Sequence, residues 1–165
     1  MPEKETLEKA QQDASEGKSP STQAGEFVHE EIEHVKEGKH GARSTKQAIA
    51  IGLSKARRAG VKLPLPKAGA SERTKKQAEH DSEKGQSEPD DEPSRTRSRA
   101  TTEALQREGH AAASHEALSA QGRSSARHRS AASRKEAAAK SVRTKGKAGL
   151  SSAAKKAART RARKG

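Results

Sequence analysis

The sequence predicts a mostly disordered chain that is all-α where it is ordered. Only 28% of the residues are hydrophobic and 35% are charged, and the mean hydropathy is −1.18. Phe27 is the only aromatic residue besides the histidines, so the large side chains that dominate ordinary cores are missing. Such chains bury too little apolar surface to offset the conformational entropy lost on folding. We therefore expect no sizeable core.

The clearest local structure is a short helical hairpin at about residues 26–60. In its first helix, Val28, Ile32 and Val35 recur at helical spacing and share one face. Gly38 follows as a plausible C-terminal stop, because glycine readily takes the left-handed conformation that ends many helices. The first half of the hairpin is therefore predicted to end near residue 38.

The second helix of the hairpin has a start, a contact stripe and an end. Ser44 and Gln47 have the spacing of a capping box, in which two side chains satisfy backbone N–H groups at a helix start. The apolar stripe contains Gly52, where the missing side chain would let the two helices approach closely. Gly60 can end the helix, and the prolines in residues 61–66 predict an extended apolar segment after it.

Composition divides the chain into four segments. Residues 1–24 are acidic and polar and are predicted to be disordered, and residues 25–66 hold the hairpin. Residues 67–94 read as a mixed-charge linker that includes an acidic run. Residues 95–165 form a basic tail rich in Ala, Ser, Arg and Lys. Isolated helices shorter than about 12–15 residues are marginal in water, so we expect only nascent helices in this tail.

Charge is the strongest indication of function. The formal net charge is +13, and residues 95–165 carry 19 Lys and Arg against 4 Asp and Glu. A basic tail behind an acidic head is typical of proteins that bind polyanions, and nucleic acid is the polyanion that we expect. The residues expected to contact phosphates are Arg123, Arg127, Arg134, Lys145, Lys155, Lys156, Arg159, Arg161 and Arg163.

Two arrangements of these cations are compatible with the sequence. On a helix, Lys155, Lys156, Arg159 and Arg163 fall within one 100° arc. The cations at positions 123, 127, 134 and 145 share one helix face only if a single unbroken helix contains all four. A basic coil without any such face would bind phosphates equally well. Either way, binding is expected to be non-specific for DNA or RNA, because no rigid element or aromatic platform that could read bases is visible.

Other function classes find little support. A helix-turn-helix reading of residues 26–60 is disfavoured, because Arg57 and Arg58 lie at the wrong end of the second helix. His29 and His34 are five residues apart, as are His110 and His115, whereas a helical zinc motif needs a separation of four. We therefore expect no metal site, no cofactor, no small-molecule substrate and no enzyme activity.

Cellular location is predicted from absences. The chain has no cysteine, which fits a reducing compartment. It has neither a signal sequence nor an apolar run near the roughly 20 residues that span a bilayer. These features predict a cytoplasmic, nucleoid-associated protein that does not bind membranes.

The hairpin segment carries a recognisable motif. Residues 26–30 and 36–39, followed by Lys46-Gln47-Ala48-Ile49-Ala50-Ile51-Gly52-Leu53-Ser54 and residues 55–60, resemble a family of small basic bacterial proteins that share a domain of unknown function. The tail is loosely similar to the Lys/Ala-rich tails of linker-histone-like proteins. The resemblance implies a bacterial source and no established activity.

Two further hypotheses remain open. The chain could be a hydrophilic, disordered stress-protection protein with no specific partner, since Gly, Ala, Lys and Glu are abundant and aromatic residues are nearly absent. Alternatively, the hairpin could bind a protein partner while the basic tail only localises it.

Overall fold

The computed structural model of the chain describes residues 2–66, 69–87 and 94–163, and these ranges contain helices and no strand. The chain divides into two compact units, residues 1–121 and 122–165. A short 3₁₀ helix lies at Ala111–Ala113. The α-helices of the described residues are α1 (Lys4–Ser15), α2 (Pro20–Lys36), α3 (Thr45–Arg58), α4 (Glu72–Gln86), α5 (Arg95–Gln106), α6 (His115–His128) and α7 (Ala131–Ala162).

The prediction of a mostly disordered chain is wrong. Helix α1 lies in the segment predicted to be disordered, and α4 lies in the predicted linker. The core is built largely from small side chains, since eight of the twelve buried hydrophobic residues among those described are alanines. Alanine lets helix backbones approach closely, so side-chain size understates how well these helices pack. The predicted acidic run at residues 88–92 lies outside the described residues.

The predicted hairpin is present as α2 and α3, which run antiparallel. Ala24, early in α2, shares a cluster with Ala56 late in α3, whereas Val35 near the end of α2 shares a cluster with Ala48 early in α3. One cluster of buried residues contains Ile32, Val35, Ala42, Ala48, Ala112 and Ala113. The other contains Ala10, Ala24, Phe27, Ala56 and Val61. The two clusters lie towards opposite ends of the hairpin.

The helices α2 and α3 approach each other closely at Gly52, as predicted. A Cβ atom at this position would lie 2.7 Å from the Cα of Val28 and 3.0 Å from the carbonyl oxygen of Phe27. Both of these are backbone atoms, so a rotamer change could not relieve the clash. Glycine at position 52 therefore sets the distance between the two helices.

Alanine substitutions at Gly52 and Gly25 should have opposite effects on stability. We expect Gly52→Ala to lower the free energy of unfolding by about 1–3 kcal/mol, because α2 and α3 must move apart. Gly25 lies inside α2, and no atom lies within 4 Å of the position that an added methyl group would occupy. Gly25→Ala should therefore raise the free energy of unfolding by roughly 0.5–1 kcal/mol. Urea denaturation followed by circular dichroism measures both values, and a stabilised Gly52→Ala variant would contradict the close contact.

The ends of the hairpin helices follow the predicted signals. The Ser44 hydroxyl accepts a hydrogen bond from the Gln47 N–H at 3.2 Å. The Gln47 side chain in turn accepts the N–H of Arg43 at 2.9 Å, one residue before the cap. Gly38 and Gly60 follow α2 and α3 with φ of 76° and 87°, as expected for left-handed helix ends. The predicted end of α2 and both predicted ends of α3 are therefore confirmed, whereas α2 begins at Pro20, six residues before the predicted start.

Residues beyond the hairpin complete the cluster that contains Val35 and Ala48. Gly41 and Ala42, in the turn between α2 and α3, donate hydrogen bonds to the carbonyl oxygens of Leu105 and Gly109. The hydroxyl of Thr45 donates to the carbonyl oxygen of Ala112 at 2.6 Å. The start of the predicted basic tail thus folds with the hairpin. The tail is not a single uniform segment.

The second cluster is covered from two sides. Leu7 and Ala10 of α1 pack on α2, and Val61 and Leu63 of the extended segment after α3 pack beside them. Residues 61–66 form no helix, as predicted, but the Leu63 N–H donates to the carbonyl oxygen of Val61, so the segment is not fully extended at Lys62. The helix α1 ends before Gly17, which has a φ of 70°. Flanking residues therefore supply half of the side chains of this second cluster.

Helix α4 packs tightly against α3. A Cβ atom at Gly85 would lie 2.0 Å from the carbonyl oxygen of Arg57. The Asp81 side chain is 1% exposed and accepts hydrogen bonds from Ser54 at 2.6 Å and from Arg58 at 2.8 Å. A buried carboxylate with good partners joins the two helices, which explains why this polar segment is folded.

In the second unit, α7 is a long helix with one break. Ser130 caps it by accepting a hydrogen bond from the Ser133 N–H at 3.1 Å. Gly146 has φ 62° and ψ 175°, so the helix is interrupted there. Each part still exceeds about 12 residues and is rich in Ala, Lys and Arg, which are good helix formers. The prediction of only nascent helices underestimates these lengths.

Candidate functional site

The predicted phosphate-contacting residues all lie on helices of the basic tail or at the helix end. Arg123 and Arg127 are on α6, Arg163 is the C-cap of α7, and the others are on α7. All nine side chains are exposed to solvent. The structure therefore leaves each predicted residue on the surface, where a phosphate could reach it.

One of the two predicted alignments is present. Lys155, Lys156, Arg159 and Arg163 follow Gly146 without a further interruption, and Arg163 itself keeps helical φ and ψ. Their spacing places them within one 100° arc of this part of α7. Arg161 lies outside this arc. We call these four residues of the arc the basic face.

The other predicted alignment is wrong. It required one unbroken helix, but α6 ends at His128 and α7 begins at Ala131. Arg123 and Arg127 are one turn apart on α6. Arg134 and Lys145 lie beyond the break, so the helical periodicity does not carry across from one pair to the other.

The charge of α7 is almost entirely of one sign. Its 32 residues include ten Lys and Arg but one acidic residue, Glu136. Within the described residues of the second unit, no carboxylate forms an ion pair with a cation of α7. Like charges spaced along an exposed helix attract a polyanion and repel one another when free. This surface is suited to contacting successive phosphates.

A second site is a buried group of charges that sequence reasoning missed. Glu31 of α2 is fully buried and Glu30 is 6% exposed. Lys55 of α3 reaches both, with its Nζ 2.7 Å from Glu31 Oε2 and 3.0 Å from Glu30 Oε1. The sequence pattern predicts no charged residue inside the hairpin. These three residues form the buried charge group.

The pKa values of Glu30 and Lys55 are both shifted towards the charged forms. Burial raises the pKa of Glu30, but hydrogen bonds from Thr6, the Glu3 N–H and Lys55 outweigh burial and hold it below its ordinary value. Burial likewise lowers the pKa of Lys55, and the hydrogen bonds and charges of Glu31 and Glu30 more than offset this, so its pKa is raised. Opposite charges thus stabilise each other inside the hairpin.

Two histidines lie at the edge of the buried charge group. His34 Nε2 is 2.8 Å from Glu3 Oε1, and His40 Nε2 is 3.3 Å from Glu31 Oε1. Hydrogen bonds from His34 and Lys39 lower the pKa of Glu3 to about 2. The rings of His34 and His40 meet edge to face, with centroids 6.0 Å apart. The fold thus brings His34 next to His40, a pair that the spacing of the histidines along the sequence did not indicate.

Arg57 and Arg58 have structural contacts rather than a free surface. Arg57 is 9% exposed, and its guanidinium donates to the carbonyl oxygen of Pro64 at 3.4 Å. Arg58 binds Asp81. Burial raises the pKa of Asp81, but hydrogen bonds from Ser54 and Arg58 outweigh it, and the pKa lies below its ordinary value. Of the two arginines, only Arg57 is buried, since the Arg58 side chain is 51% exposed.

No helix within the described residues is both long enough and apolar enough to cross a membrane.

Comparison with known proteins identifies one segment. Residues 19–67 match the model of a family of unknown function, DUF6496. This range includes α2, α3 and the extended segment that follows, and so contains the buried charge group. No curated protein and no solved structure matches the chain. The chain thus contains a domain of unknown function, similar to DUF6496, in residues 19–67.

Proposed function

We propose that this protein binds nucleic acid non-specifically, through contacts between phosphates and the basic residues of α6 and α7. The observation that supports the proposal most strongly is the ten-to-one excess of cations on α7, without ion pairs to carboxylates in the described residues. Each phosphate contact by Lys or Arg releases condensed counterions, and this release supplies essentially all of non-specific affinity. A helix that presents cations along its length makes several such contacts at once.

Non-specific binding fits the rest of the fold. Reading a base sequence needs a rigid element with free side chains at base edges. The arginines at the end of α3 are held by Pro64 and Asp81. Phe27 is fully buried and cannot stack on a base. The hairpin therefore offers no evident surface for base recognition.

The rival hypothesis, a disordered stress-protection chain, loses its physical basis. It required the chain to act as an unfolded, solvating polymer, whereas the described residues are folded into helices. The presence of Lys, Glu and Ala is explained by exposed helix faces and small-residue packing. We propose no enzyme activity, since the basic surface acts through charge alone.

The salt dependence of binding to a duplex tests the proposed function. With on the order of 8 phosphates neutralised, log affinity should fall against log salt with a slope of about −7, and the dissociation constant should lie near 10⁻⁴ to 10⁻⁶ M at physiological salt. Fluorescence anisotropy of labelled duplexes of unrelated sequence measures both quantities. Duplexes of different sequence should give nearly the same values. If no binding is detected even at low ionic strength, the proposal fails.

A further inference from the structure

Three potential metal ligands meet where the chain turns from α2 towards α3. Ligand atoms of Glu31, His34 and His40 all lie within 4.8 Å of one another. Glu31 Oε1 and His40 Nε2 are 3.3 Å apart. Two ligands of a tetrahedral zinc ion with bonds of about 2.0–2.2 Å lie roughly 3.4 Å apart. This pair is therefore already at the spacing that an ion between the two atoms would require.

The local fold explains why these residues converge. Glu31 and His34 are three positions apart on α2, so both project from one face of the helix. Gly38, with φ 76°, then reverses the chain, and the Lys39 N–H donates back to the carbonyl oxygen of His34 at 3.0 Å. This turn returns His40 to the side of His34. The ligand set thus depends on the helix end and not on helix periodicity alone.

A backbone carbonyl fixes the tautomer of His40. Its Nδ1 lies 3.1 Å from the carbonyl oxygen of Gly41, and a carbonyl oxygen only accepts hydrogen bonds. Nδ1 therefore carries the proton, and in the neutral ring Nε2 has the free lone pair. In this neutral form the lone pair would face Glu31 Oε1 at 3.3 Å, so two acceptors would oppose each other. A cation between them turns this repulsion into attraction.

His34 is oriented in the same way by a carboxylate. Its Nε2 lies 2.8 Å from Glu3 Oε1, and an ionised carboxylate also only accepts. In the neutral ring Nδ1 then has the free lone pair. Histidines that bind metals almost always donate their other ring nitrogen to a carboxylate or a backbone carbonyl. The partner of His34 is the carboxylate of Glu3, and the partner of His40 is the backbone carbonyl of Gly41.

Glu31 supplies the third ligand. Its side chain is fully buried, the ammonium group of Lys55 pairs with Oε2 at 2.7 Å, and Oε1 has no hydrogen-bond partner among the described residues. Oε1 is thus available on the side of His40. Buried carboxylates normally have hydrogen-bond partners, so a missing partner for Oε1 is consistent with a bound ion. Around the site, the two negative charges of Glu3 and Glu30 are equal in number to the two positive charges of Lys39 and Lys55. The negative charge of Glu31 is therefore left in excess.

We propose that Glu31 Oε1, His34 Nδ1 and His40 Nε2 bind a Zn²⁺ ion. Two imidazole nitrogens and one carboxylate oxygen form a donor set that zinc favours over Mg²⁺ or Ca²⁺. The side chains of His34 and His40 are 13% and 15% exposed, so solvent reaches the edge of the site. A water molecule completes the coordination. This site is independent of the basic face and departs from the sequence-based expectation of no metal.

Calorimetric titration of the full chain with ZnCl₂, after treatment with a chelator, tests the site. We expect one strongly bound zinc per chain. His40→Gln and His34→Gln should each remove this binding step. Glu3→Gln, which removes the partner of His34, should weaken it about 10- to 100-fold. His29→Gln is the matched control, because His29 is on α2 and 74% exposed. The His29→Gln variant should bind zinc with the same affinity as the native chain.

A direct measurement on the native chain covers the case in which the variants do not fold. Long-range ¹H–¹⁵N spectra resolve the ring nitrogens of the seven histidines. Adding one equivalent of zinc should shift His34 Nδ1 and His40 Nε2 and leave the other five rings nearly unchanged. The proposal is overturned if no zinc binds stoichiometrically, if other histidines shift instead, or if His29→Gln weakens binding as much as His40→Gln does.

Discussion

Replacing Lys155, Lys156, Arg159 and Arg163 by Gln should flatten the salt dependence of duplex binding by about 4 units, from about −7 to about −3. The reason is that each phosphate-contacting cation contributes close to one unit to the slope of log affinity against log salt. Fluorescence anisotropy at several salt concentrations measures the slope. The preference among duplex sequences should not change, because phosphate contacts carry no sequence information.

A matched variant separates a local interface from net charge. Lys46, Lys62, Arg73 and Lys76 are exposed and form no ion pair with any described residue. Replacing these four by Gln changes the net charge by the same amount but leaves α7 intact. We expect the slope for this variant to stay near −7. If both quadruple variants flatten the slope equally, binding depends on total charge and the basic face has no special role.

Lys55→Met should lower the free energy of unfolding by about 3–5 kcal/mol. It would leave Glu30 and Glu31 buried without their common counter-charge, and the removal of one partner from a buried ion pair costs about this much. Thermal and urea denaturation of the full chain, followed by circular dichroism, measure the loss. Lys46→Met is the control, because Lys46 is on the same helix and exposed, and it should change stability by less than about 0.5 kcal/mol.

The triple variant Glu30→Gln, Glu31→Gln, Lys55→Met tests the cause of that loss. Since no buried charge is then left without a partner, most of the stability should return. If Lys55→Met costs no more than Lys46→Met, the buried charge group does not hold the hairpin together. The single and triple variants thus distinguish a missing counter-charge from lost packing by the lysine chain.

The hairpin could be predicted from the sequence because its signals are local. Gly38 and Gly60 mark helix ends through backbone conformation, and Ser44 with Gln47 marks a helix start through short hydrogen bonds. Gly52 on an apolar stripe predicts close helix packing. Each of these signals acts within one element or between two neighbours, so a single sequence contains enough information to find it.

The rest of the fold depends on pairings that periodicity does not reveal. Lys55 reads as a surface residue until α2 places Glu31 opposite it, and Asp81 reads as a linker residue until Arg58 and Ser54 reach it. The amino-acid composition does not show whether an alanine is buried or exposed. The expectation of disorder failed for this reason, since it treated polar and small residues as unable to build a core.

Of the two candidate sites, one could be predicted from local sequence signals and the other could not. The basic face follows directly from charge and helical spacing, so the sequence predicts it residue by residue. The Glu31, His34 and His40 group does not, because the turn at Gly38 brings His40 back by tertiary geometry. A Glu and a His three residues apart on a helix, followed by a glycine and a second His, is the signal that could have indicated it.

Amide chemical-shift mapping of the full chain with a duplex at low salt tests the central claim most directly. If the basic helices bind phosphates, the perturbed amides should lie in residues 131–162, with smaller changes in α6, and the changes should disappear at high salt. The amide chemical shifts of α2 and α3 should not change. Perturbations confined to the hairpin, or none at all under these conditions, would contradict the assignment of nucleic-acid binding to the C-terminal helices.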